Sequence, residues 1–156
     1  MADIRAVAAR VNEARAACSL PPLQELPNGE RSNPCFCPLG RALRKDMGEF
    51  FFLAVGSKHI RLASTNGATK EIAQRIQQAW GVESEPVPAG EQFATVPLPV
   101  ELRQFVNEFD AGKLPKFEGR IEQAEKARFD GLARRLWNIT LSGLRRMRPL
   151  PRSRRT

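Results

Sequence analysis

Asp130 is the last acidic residue of this 156-residue chain, and eight arginines with no lysine follow it. They are Arg134, Arg135, Arg145, Arg146, Arg148, Arg152, Arg154 and Arg155, and they account for the whole formal charge of +8. Of the 25 basic residues, 17 stand before position 131, where they match all 17 acidic ones. A segment of one charge sign cannot neutralise itself inside a core of its own. Its apolar side chains are expected to be lent to the body, the alternative being that they complete a partner's core, with the arginines left in water or against an anion. The chain therefore divides into a compact body of zero net charge over 1–130, an amphipathic arginine-faced helix over 131–148 docked on that body, and a flexible basic arm over 149–156.

At about 100° per residue, Phe129, Leu132, Ala133, Leu136, Trp137, Thr140, Leu144 and Met147 share one side of the C-terminal helix. Arg134, Arg135, Asn138, Ser142, Arg145 and Arg146 fall opposite. Extending that phase upstream puts Glu125 and Lys126 among the apolar residues. The pattern thus predicts a break near Asp130-Gly131 and a separate polar helix over about 118–129. Pro149 and Pro151 stop the last helix.

Within the body, apolar residues at helical spacing from Ile4 to Cys18 predict an amphipathic helix over 3–17, with Arg15 on the edge of its stripe, snorkelling to water or fraying the end. Residues 19–38 hold five prolines and an Asn28-Gly29 pair, which is loop chemistry. Pro38 suits the first position of a short helix reaching Met47. Phe50 to Val55 is apolar on both alternating faces, as a central strand should be. His59 to Ala63 alternates as its half-buried partner across a turn at Gly56-Ser57-Lys58. A helix follows from about Thr69 to Trp80, ended by Gly81. Gln92 to Val96 is a candidate third, edge strand, and a further helix runs from near Pro99 to Gly112. The fold class expected is α+β: a small antiparallel sheet, with a β-hairpin over 50–63 and a third edge strand over 92–96, packed with helices.

Composition narrows the function classes. No apolar run approaches the ~20 residues of a membrane span, and Asp3, Arg5, Arg10 and Glu13 interrupt the N-terminus too early for a signal peptide. Three cysteines cannot all pair within one chain, so a reduced cytoplasm is expected and the Asn138-Ile139-Thr140 sequon is coincidental. With one histidine and no nucleophile-elbow, P-loop or dinucleotide-binding motif, the chain is expected not to be an enzyme. Ser64 to Lys70 is the nearest approach to a phosphate cradle, and such a loop is more often only a turn and a helix cap.

Cys18, Cys35, Cys37 and His59 are enough ligands for one tetrahedral zinc. That reading is the weaker one, because C-x-C is less diagnostic than C-x-x-C and free cysteine is commonly a small buried hydrophobe. No metal or other cofactor is expected. The arginines carry the stronger signal, since a guanidinium binds phosphate or carboxylate as a planar fork. The expected partner is nucleic acid or a nucleoprotein assembly, reached through Arg134, Arg135, Arg145 and Arg146 on the helix and Arg148, Arg152, Arg154 and Arg155 beyond it. The alternative is a regulatory or structural interaction factor, of the kind phages also encode, that docks on an acidic protein surface. Contact with an anionic membrane surface has the right ingredients too. It ranks below both, because a domain of this size needs its amphipathic helix faces for its own core.

Overall fold

The computed structural model describes residues 1–48, 51–83 and 93–147, with 137–147 as helix backbone only. Five helices and a three-stranded antiparallel sheet follow one another as α1 (Ile4–Ala17), α2 (Pro38–Arg44), β1 (Phe51–Val55), β2 (His59–Ser64), α3 (Thr69–Trp80), β3 (Ala94–Pro97), α4 (Val100–Asp110) and α5 (Gln123–Met147). The chain therefore has the expected α+β fold. Local chemistry sets the ends of its elements. Asp3 caps α1 by accepting from the Arg5 and Ala6 amides, Pro38 opens α2, and Gly81 ends α3 in the left-handed region at φ 66°.

Strand order is β1-β2-β3, so β2 is central and the strand expected in the middle lies at an edge. The apolar run of β1 has a different cause. Phe51, Leu53 and Val55 face the main core with Ile60, Leu62, Ala94 and Val96. Phe52 points the other way, with Ala63 opposite it in the register and Phe93 alongside. Helices α1 to α4 cover the first face and α5 packs against the second. A strand sandwiched between two layers is apolar on both faces whether or not both of its edges are paired.

Arg15 neither snorkels nor frays the helix. Its side chain is fully enclosed, and it donates to Pro21 O at 2.9 Å, Ala42 O at 3.0 Å, Lys45 O at 2.6 Å and Asp46 Oδ2 at 3.1 Å. Two of those acceptors are carbonyls at the end of α2, which a seven-residue helix leaves without intrahelical partners. A buried charge this well satisfied cross-links α1 to α2.

A second correction concerns α5, which runs without a break for 25 residues, about 37 Å at 1.5 Å per residue. Glu125 and Lys126 do turn toward the body, but each meets an opposite charge there. Glu125 pairs with Arg41 at 2.7 Å and Lys126 with Glu30 at 2.9 Å. Their polarity is satisfied in place and the helix has no reason to end. The polar helix expected over 118–129 is replaced by a 3-10 turn at Pro115–Phe117, an extended stretch, and the first turns of α5.

Two substitutions test these points by urea denaturation. Arg15→Ala strands the α2 carbonyls and opens a cavity, and should cost about 3 kcal/mol, with Arg15→Lys restoring little because an ammonium cannot span four acceptors. A Cβ at Gly131 meets nothing within 4 Å. Gly131→Ala should therefore stabilise the continuous helix by about 0.5–1 kcal/mol, whereas a bent one would gain nothing.

Candidate functional site

The arginine-bearing helix is held against the body along its first four turns. Arg41, one turn into α2, forks onto both oxygens of Glu125 at 2.7 and 2.8 Å. The same guanidinium donates to Asn28 O and Oδ1 at 2.7 and 2.9 Å, which ties the proline-rich loop into the joint. That loop is itself fixed at Gly29, whose amide donates to Phe117 O and whose carbonyl accepts from the Gly119 amide. A Cβ at Gly29 would lie 2.5 Å from Pro38 N, so only glycine fits against the start of α2.

One turn further along α5, Phe129 enters an aromatic cluster. It stacks on Phe52 with centroids 5.1 Å apart and meets Phe36 edge-on at 5.3 Å. Arg44 lies over it with Cζ 4.3 Å from the ring centroid. Leu132 and Leu136 then seal the helix on Ala63 of the central strand. With this face committed, Arg128, Arg134 and Arg135 are exposed on the rest of the helix surface. Of the predicted binding residues, the structure therefore places Arg134 and Arg135 at exposed positions of α5, next to the turns that pack on the body. The side chains of Arg145 and Arg146, together with Arg148, Arg152, Arg154, Arg155 and the arm, lie outside the described residues.

The zinc alternative fares differently. No group of three His, Cys, Asp or Glu side chains able to hold a metal occurs among the described residues. Cys18 packs on the main core at the end of α1, Cys35 lies on the Phe36–Phe129 cluster, and Cys37 accepts from the Gly40 amide at 3.3 Å as the cap of α2. His59 sits at the start of β2 opposite Pro97. Burial is the first cause raising all three thiols, that of Cys37 to about 11, so each holds its proton at neutral pH. The Ser64–Lys70 loop satisfies itself: Thr69 Oγ1 accepts from the Ser64 amide at 2.8 Å and Asn66 Oδ1 from the Ala68 amide at 3.1 Å. Such a loop offers an anion little.

Sequence reasoning missed a second basic group. Arg41, Arg44, Lys45 and Arg128 line a cavity of about 500 Å³ between α2 and α5. Burial lowers Arg44 to about 10, which still leaves it charged at neutral pH. These four belong to the part of the chain whose charges cancel by count, and only the fold brings them together. No family model, curated protein or solved structure matches this chain.

The ion pairs that seat α5 give it a pH dependence. The Arg41 hydrogen bonds hold Glu125 below the ordinary carboxylate range, and Lys126 does the same for Glu30. A carboxylate with a depressed folded-state pKa contributes stability above its unfolded pKa of ~4.3. That contribution is lost as pH falls through the lower folded-state value. Thermal stability should therefore drop below about pH 4.5, and Glu125→Gln should be less stable than the parent at pH 7 with a shallower acid limb.

Proposed function

We propose that this chain is a non-catalytic binding protein that contacts nucleic acid, free or within a nucleoprotein assembly, through the arginines of α5 and of the segment after it. The observation that carries the reading is the division of labour along that helix. Glu125, Lys126, Phe129, Leu132 and Leu136 are spent on the body, while Arg134 and Arg135 are exposed on a helix that continues to Met147. The surplus charge of the chain lies in the same stretch and after it. Phosphate neutralisation needs no base-reading motif. It needs guanidinium groups on a firm support, and their geometry tolerates any sequence.

The three cysteines are unpaired, which accords with a reducing compartment such as the cytoplasm. No helix among the described residues is long and apolar enough to cross a membrane.

Salt titration of the full chain tests this. If about five phosphates are neutralised, log K against log[salt] should fall with a slope near −4.5 on duplex DNA or near −3.5 on a single strand. Arg134→Ala should lower that slope by somewhat under one unit, equally for all sequences. Deleting 149–156 should weaken binding by several such steps and leave the far-ultraviolet circular dichroism unchanged. A full-length chain that ignores nucleic acid at low salt, yet binds an acidic protein, would replace this reading with that of an interaction factor.

A further inference from the structure

Among the described residues, the lining of the cavity between α2 and α5 holds more cations than the carboxylates there pair with. Three of its ionic groups are already engaged: Arg41 with Glu125, and Asp46 with Arg15 from the far side. That leaves Arg44, Lys45 and Arg128 against Glu25 in the lining. None of the three cations forms an ion pair with a carboxylate among the described residues. Arg44 is the telling one. Among the described residues it gives one hydrogen bond, to Leu53 O at 2.9 Å, its Cζ lies over the Phe129 ring, and a guanidinium has five N–H donors. A half-buried cation held over an aromatic ring, with donors to spare, is desolvated in advance for an anion.

We propose that this groove is a phosphate monoester site, sized for one nucleotide, in which Arg44, Lys45 and Arg128 hold the phosphate. A monoester carries about −1.5 to −2 charges at neutral pH, where a backbone diester carries one, so three cations in one lining favour the monoester. The volume of about 500 Å³ is more than inorganic phosphate needs, and it falls in the range of small-molecule sites. Leu132 gives the same lining an apolar component on which a base can rest.

Placement supplies the link to the rest of the molecule. Arg128 is two helical turns from Arg135, so both lie along the same side of α5, and the groove opens at the start of that line. Resting on the proposed function, the inference is that a strand enters by its phosphorylated end and continues along α5. The same chemistry is met by a free nucleoside monophosphate.

Fluorescence anisotropy of the full chain with short single strands tests the inference. The strands should carry a 5′-phosphate, a 3′-phosphate or neither, and calorimetry with a nucleoside monophosphate runs beside them. One phosphorylated strand should bind about tenfold more tightly than the unphosphorylated one, the scale of one strong charge-assisted contact. Lys45→Ala and Arg128→Ala, both exposed positions, should abolish that preference, whereas Arg134→Ala should weaken all strands alike. Equal binding of all three strands by the parent, with no uptake of the monophosphate, overturns the site and leaves the helix reading intact. Uptake of the monophosphate without binding of any strand keeps the site and overturns the helix reading.

Discussion

Arg15 holds α2 in place, and α2 holds nearly everything else of interest. A helix of seven residues forms too few internal hydrogen bonds to offset its nucleation cost, so it exists because of what surrounds it. Its N-terminal end is fixed by Pro38 and the Cys37 cap. Its C-terminal carbonyls are fixed by a single guanidinium from α1 that reaches Ala42 O and Lys45 O together. With its end pinned, α2 presents Arg41 and Arg44 in one direction. Arg41 then takes Glu125, and Arg44 takes the Phe129 ring. The position of α5 on the second face of the sheet is thus the third link of a chain that starts at a buried cation.

The protein uses its arginines in two ways that composition does not separate. Arg15, Arg41 and Arg44 are structural forks whose donors meet carbonyls, a carboxylate or an aromatic face inside the fold. Lysine would serve poorly at each, since a compact ammonium neither spans four acceptors nor lies flat on a ring. Arg134 and Arg135 stand exposed on α5 instead. A count of charges over 1–130 gives zero and hides the internal forks. It also hides the local excess in the groove, where pairing removes Glu125 and Asp46 and leaves the cations in the majority.

Where one-dimensional periodicity and local chemistry decide the outcome, the fold was legible from the residues alone. The antiparallel hairpin, the helix ended by Gly81, the helix ended at Gly112 and the α+β class are of that kind. The differences at Arg15 and at Glu125-Lys126 share one cause: a residue out of phase with its own element need not disturb that element. Arg15 on an apolar stripe and Glu125-Lys126 on an apolar face each proved to meet a partner distant in sequence. Periodicity has no access to such partners. Likewise, the run Phe51–Val55 reports cover on both faces of a sheet, and only strand pairing could show that His59–Ser64 occupies its middle. Of the candidate binding residues, the helical arginines were legible as an excess of charge. Arg44, Lys45 and Arg128 were not, because nothing in their spacing marks them as neighbours.

The continuity of α5 changes what its arginines can do. Had the helix broken at Gly131, the arginine-bearing segment would have been a separate body, free to reorient and to lose entropy whenever it was fixed by a partner. Joined instead to four turns seated on α2 and the sheet, it is held in a fixed direction before any partner arrives. Arg134 and Arg145 are eleven residues apart on that helix, a rise of about 16 Å. Phosphates of one strand advance about 3.4 Å each along a duplex axis, so this rise corresponds to roughly five of them. In the proposed function this continuity matters because backbone geometry sets the spacing of these positions before a polyanion binds, so less order has to be gained on binding.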